Sequence, residues 1–165
     1  MTVKMELVGV RVQMPTNTPI LLLRETVGKR RVVPIYIGGP EAHAIDLALS
    51  GTATARPMTH DLMHQVLELL GTKLERVVIT ELRDGTFYAE LLLEIEGEEP
   101  RRVSARPSDA VALAVRSDSP IYAEEALIDE AGIEEAEPEV EGNEEEMVEE
   151  LRKFLDEVNP EDFLP

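Results

Sequence analysis

Residues 3–14 alternate apolar and polar positions, with Val8, Val10 and Val12 falling around Gly9 and Arg11, and this period of about two predicts a strand. Pro15-Thr16-Asn17-Thr18-Pro19 breaks the pattern as a turn. Residues 20–23 and 31–37 predict two further strands joined across Gly28-Lys29-Arg30. Gly38-Gly39-Pro40 ends the last of these and starts a helix over 40–50, with proline in its favoured first-turn position and Gly51 closing the element. A second helix begins at Thr59 and runs to Leu70, where Gly71 is a C-terminal stop signal. Residues 73–83 and 86–95 then read as a hairpin around Asp84-Gly85. A turn at 96–100 leads to a strand at 102–105. The helix over 109–116 is rich in Val, Ala and Leu on every side, which predicts close neighbours all round. Pro120-Ile121-Tyr122 and a short helix over 124–131 follow. Antiparallel and mixed strands with interspersed helices give an α+β fold.

Beyond Gly132 the pattern changes. Residues 133–143 are Glu-rich with Pro138 and Gly142 and read as a linker between a domain over 1–132 and a tail over 144–165. In the tail, Met147, Val148, Leu151, Phe154 and Leu155 form one stripe of an acidic amphipathic helix that must dock on something.

Charge sharpens this division. The formal net charge is −18, yet residues 1–123 hold 14 Lys and Arg against 16 Asp and Glu, while residues 124–165 hold 2 against 18. The body is near neutral and the tail carries the acidity, so the overall charge does not exclude an anionic partner for the body. The chain has no cysteine, which excludes a disulfide framework, a thiolate metal site and a cysteine nucleophile. No segment resembles a signal peptide or a membrane span, so a cytoplasmic protein with no membrane partner is expected.

Two Arg-Pro dipeptides carry the candidate chemistry, in Arg56-Pro57-Met58-Thr59-His60-Asp61-Leu62 and Arg106-Pro107-Ser108-Asp109-Ala110-Val111. Each predicts a strand-to-helix junction. Proline holds the preceding residue extended, Thr59 or Ser108 is placed to cap the helix, and Asp61 or Asp109 falls in the first turn beside the positive helix end. Pro120-Ile121-Tyr122 also echoes Pro34-Ile35-Tyr36, which suggests a weak internal duplication. On the Thr59 helix a 100° step puts Leu62, Met63, Val66, Leu67 and Leu70 on one side as the core stripe. His60, Asp61, His64 and Glu68 fall on the other. His43, Asp46 and Ser50 share a ridge of the preceding helix.

Arginine can clamp phosphate oxygens, helix N-termini add N–H donors, and carboxylates or imidazole can hold a divalent cation or activate water. The set therefore suits phosphodiester chemistry. It suits other anions equally, and the plainer reading is that the acids serve the helix dipoles while the arginines and the His60, His64 pair are solvated. With no P-loop, Gly-x-Gly-x-x-Gly or serine elbow, no organic cofactor is expected. The competing function is a non-catalytic regulatory module that binds a small anion or a protein partner through the same junctions.

The junctions, together with Val33-Pro34-Ile35-Tyr36-Ile37-Gly38, Glu41-Ala42, Ala44-Ile45, Val78-Ile79-Thr80, Gly85-Thr86-Phe87-Tyr88-Ala89 and the run Ala105 to Ala114, resemble the bifunctional nuclease domain family over residues 5–132. The resemblance implies an α+β domain that self-associates, as a dimer or trimer, with the nuclease activity on DNA and RNA ascribed to plant members. Shared motifs and the local physics place catalysis on His60, Asp61 and Asp109, phosphate binding on Arg56, Arg106, Thr59 and Ser108, and secondary roles on Glu41, His43 and Asp46. Mg²⁺ or Mn²⁺ is the expected cation, with His60, His64 and Asp61 as candidate ligands. Ser104 stands where many members carry Asp, which implies weakened ion binding if that Asp is a ligand.

Overall fold

Two three-stranded meanders organise the chain. In the computed structural model, which describes residues 1–134, β1 (Thr2–Gln13), β2 (Thr18–Glu25) and β3 (Val32–Tyr36) form the first. β4 (Thr72–Arg83), β5 (Thr86–Ile95) and β6 (Arg101–Ala105) form the second. Between them run α1 (Gly39–Leu49) and α2 (Thr59–Leu69), and after them α3 (Pro107–Ser117), β7 (Ile121–Glu124) and α4 (Glu125–Ala131). β7 joins the meanders into one seven-stranded sheet of order β3-β2-β1-β7-β4-β5-β6. It lies antiparallel to β1 and parallel to β4, and every other pairing is antiparallel. The fold is therefore α+β with a mixed sheet. The linker and tail expected from residue 135 onward lie outside the described residues.

Local chemistry explains the best-defined turns. Asp84 and Gly85 both adopt positive φ, 51° and 74°, which the tight β4–β5 hairpin requires. Register slips between Leu7 and Gly9, so the valine alternation does not map onto the core: Val8 and Val12 are exposed, while Met5 is buried. Leu21, Leu23, Val33, Ile35, Ile45, Val77, Ile79, Val111, Leu113, Leu127 and Ile128 fill the interior. α3 matches its expected all-round burial, with every residue from Pro107 to Ala114 except Asp109 buried.

A repeat is present, but its partners differ from those the sequence echoes suggest. Each meander ends in a strand that leads through proline into a helix, β3 into α1 and β6 into α3. Arg106 thus occupies the place of Gly38, not of Arg56. The segment before α2 is irregular, so the first Arg-Pro junction is no strand-to-helix turn.

α2 also reverses the expected facing. His60 is buried, whereas Leu62, Met63, Val66 and Leu70 of the anticipated core stripe are exposed. The reason lies in α3, whose Arg116 is nearly buried and pairs with Asp61. Leaving a buried arginine without its carboxylate costs about 3–5 kcal/mol, and the same inward face supplies His60 to Asp109. The polar face therefore packs inward.

Candidate functional site

Three helices start close to one another, and each carries an acid at its third position: Glu41 in α1, Asp61 in α2 and Asp109 in α3. Neither hydroxyl acts as the expected cap. The residues preceding α2 and α3 are Met58 and Arg106, both extended, and neither makes a side-chain cap. Proline's fixed φ suits the first helical position, so α3 begins at Pro107 and Ser108 moves inside it. At α2 the Met58 N–H donates to Asp61 Oδ2 at 2.9 Å, so the cap is Met58, one residue before the expected Thr59, and Thr59 is the first helical residue.

A connected network crosses all three helices. His60 Nε2 lies 2.9 Å from Asp109 Oδ1. Arg106 donates through Nε to Asp109 Oδ2 at 2.6 Å and through Nη2 to Oδ1 at 3.1 Å. The same Nη2 is 2.9 Å from Glu41 Oε1. The other Glu41 oxygen folds back over Gly38, where an added Cβ would lie 2.2 Å away, so glycine makes room for the carboxylate. Burial works to raise Asp109, but hydrogen bonds from Arg106 and then His60 hold its carboxyl below the usual range. Asp109 is thus a carboxylate, and His60 Nε2 must be its donor. Nδ1 makes no hydrogen bond to the protein among the described residues. Asp109, and then Glu41, raise Arg106 further above its ordinary value.

Arg106 is 66% exposed at its side chain and reaches into a cavity of about 390 Å³. Tyr36, Gly38, Phe87, Pro107 and Ser108 also line it. Ser108 is only 5% exposed, and its hydroxyl has no protein partner among the described residues. His60 and Asp109 do not line this cavity, so Arg106 is the link between it and the carboxylate–imidazole pair.

The remaining expected site residues separate. Asp61 is committed to Arg116, whose Nε bonds Oδ1, and that bond is the main cause of a lowered Asp61 pKa. Arg116 also donates to the Ala112 and Ala44 carbonyls at 2.8 and 3.0 Å, tying the three helices together. Arg56 is exposed and forms no ion pair among the described residues. Thr59, His43 and Asp46 are exposed and outside the network. His64 lies 3.6 Å from Glu68 on its own helix and makes no hydrogen bond to the network among the described residues. Ser104 sits on the edge strand β6 opposite Glu90 and joins no hydrogen bond to the network. Sequence reasoning missed Arg116, although a lone cation in the Val-, Ala- and Leu-rich run that follows Asp109 signals a buried partner.

The chain is 44% identical over 164 residues to an uncharacterized protein of Mycobacterium tuberculosis, covering 97% of each chain. It is 27% identical over 122 residues to Bifunctional nuclease 2 of Oryza sativa subsp. japonica, covering 73% of this chain and 38% of the rice protein. Against Bifunctional nuclease 1 of Arabidopsis thaliana it is 26% identical over 111 residues, covering 66% and 34%. The plant proteins are therefore about three times as long as the stretch they share. Residues 21–136, more than half of the chain, match the family described as Bifunctional nuclease domain, and the chain belongs to that family.

Proposed function

We propose that the chain hydrolyses phosphodiester bonds in DNA and RNA, with the reaction centred on His60, Asp109 and Arg106. The observation that carries this reading is the continuous bonding from His60 through Asp109 to Arg106, which joins a candidate base to a candidate phosphate clamp. Arg106 exchanges Glu41 for phosphate oxygens, and the Ser108 hydroxyl and the N-terminus of α3 supply further donors. Water attacks phosphorus on the Arg106 side, and its proton passes through solvent to His60 Nδ1, the ring nitrogen that Asp109 leaves free. Asp109 holds the ring's orientation and stabilises the imidazolium. The P–O bond to the leaving sugar oxygen then breaks, and that oxygen takes a proton from solvent.

Mg²⁺ or Mn²⁺ does not fit this donor set as arranged. Among the described residues no three His, Asp or Glu side chains gather as ligands, and the Arg106 guanidinium stands between Glu41 and Asp109 where an ion would bridge them. No step is therefore routed through a metal. Asp61 acts as a positioning residue for α2 in this scheme, and Arg56 has no part in it.

A second reading, an anion-binding regulatory module, draws support from the near-neutral body, because nonspecific nucleases bind phosphate backbones through basic surfaces. Cleavage of single- and double-stranded DNA and RNA, with Mg²⁺, Mn²⁺ or EDTA, separates the two. The nuclease reading expects Asp109→Asn to lose about 10²-fold or more in rate. Undiminished cleavage by that variant removes this site from the chemistry. Absence of cleavage by the wild type on every substrate favours the binding module.

A further inference from the structure

The cavity beside Arg106 has a lining that phosphate binding alone does not explain. β7 pairs only with residues 2–5 of β1 and residues 77–79 of β4, so beyond it the two meanders are not bonded to each other. The cavity draws on both. Tyr36 and Ile37 come from the end of the first meander, and Thr86 and Phe87 from the hairpin of the second. The start of α3 completes the wall. Among the described residues Arg106 is the only charged side chain that lines the cavity, and Tyr36, Ile37 and Phe87 make the opposite side apolar and aromatic. Ser108 is 5% exposed and its hydroxyl has no protein partner among the described residues, so its hydrogen bond is left for whatever fills the space.

Resting on the phosphate-clamp reading of Arg106, we propose that this cavity seats one unpaired nucleotide, its base against Tyr36 and Phe87 and its phosphate on Arg106 and Ser108. Single strands of DNA and RNA are then the substrate class. The occupant must join a flat apolar body to one anionic group, because the wall offers aromatic rings at one side and a single cation at the other. A nucleotide has that form. The volume of about 390 Å³ lies near the lower end of the range of about 300–1,000 Å³ for small-ligand sites, which suits one nucleotide.

Both rings are placed to stack. Tyr36 is 60% exposed, so a base laid on it removes ring surface from water. Phe87 packs against the core on its other side and is held in place before any ligand arrives. Stacking accepts every base, since each has a π-face. A paired base must first leave its stack, and that cost falls on duplexes alone. His60 does not line the cavity, so a seated base leaves its Nδ1 free.

Calorimetric titration of the wild type with thymidine 3′- and 5′-monophosphate, against deoxyribose 5-phosphate, reads the base without any phosphodiester bond to cleave. The better nucleotide is expected to bind about tenfold or more tighter than the sugar phosphate. Tyr36→Ala, at an exposed position, and Phe87→Leu, which keeps its position apolar, are expected to narrow that difference and to bind the sugar phosphate as the wild type does. Cleavage of a labelled strand, alone and annealed to its complement, supplies the second reading. The single strand is expected to be cut about tenfold or more faster, with the gap narrowed in both variants. Equal binding of nucleotide and sugar phosphate by the wild type, or binding of neither, overturns the base subsite even where cleavage persists. So does full preference for the nucleotide in both variants. Preference for the nucleotide that both variants lose, with no cleavage of any strand, upholds the subsite and overturns only the hydrolytic reading.

Discussion

α2 and α3 are each 11 residues long, each has Asp at its third position, and each bears an Arg-Pro dipeptide at or just before its start, yet they pack in opposite ways. α3 is buried from Pro107 to Ala114 at every position but Asp109. α2 leaves its apolar stripe in water and turns His60 and Asp61 inward. The difference teaches that the amphipathic pattern of one helix does not decide its facing when a neighbour carries buried charge. Arg116 and Asp109 on α3 need partners, and Asp61 and His60 are those partners.

The largest expected effect comes from the α3 core. Leu113→Ala, at a nearly fully buried position, should cost about 3 kcal/mol in urea unfolding. Leu62→Ala on α2 should stay within about 0.5 kcal/mol. Comparable losses at the two positions would break the contrast.

Arg116→Met should cost about 2 kcal/mol, since it strands Asp61 at a partly buried site. Adding Asp61→Asn should recover part of that loss, and a double-mutant cycle reads the coupling directly. Additive losses would show that the pair does not determine how α2 faces.

Acid sharpens the same point with a smaller effect. Hydrogen bonding from Arg116 holds Asp61 below the usual carboxylate range, so its contribution to stability is present above the unfolded value near about 4 and is lost as pH falls through the lower folded value. Wild-type stability should therefore drop as pH falls below about 4, and the drop should shrink in Asp61→Asn. An identical acid slope in the variant contradicts the pairing.

The two arginines give the smallest difference in stability. Arg56→Ala should change unfolding by less than about 0.5 kcal/mol and leave cleavage near wild type, because the side chain is exposed and forms no ion pair among the described residues. Arg106→Ala should lower cleavage by about 10²-fold. Equal effects on cleavage would restore the equivalence of the two dipeptides.

Much of the fold was legible because it rests on local signals. Asp84-Gly85 set the hairpin, Pro40 and Gly51 bounded α1, and the Val, Ala and Leu content of α3 announced its burial. The site was legible in part: His60, Asp109, Arg106, Ser108 and Glu41 come together around one network and cavity. What could not be read was long-range. The placement of β7 between the meanders makes β3–α1 and β6–α3 the repeated pair, and no three-residue echo records that. Likewise the pairing of Asp61 with Arg116 spans 55 residues, and it decides both α2's facing and the exclusion of Asp61 from the network.

In the proposed hydrolytic centre the inward turn of α2 sets His60 against Asp109. Its most direct test is the cleavage rate of His60→Ala against wild type, with and without added imidazole. A loss of about 10²–10⁴-fold, partly restored by imidazole, with the fold retained, is expected. Wild-type cleavage by His60→Ala without imidazole would contradict it.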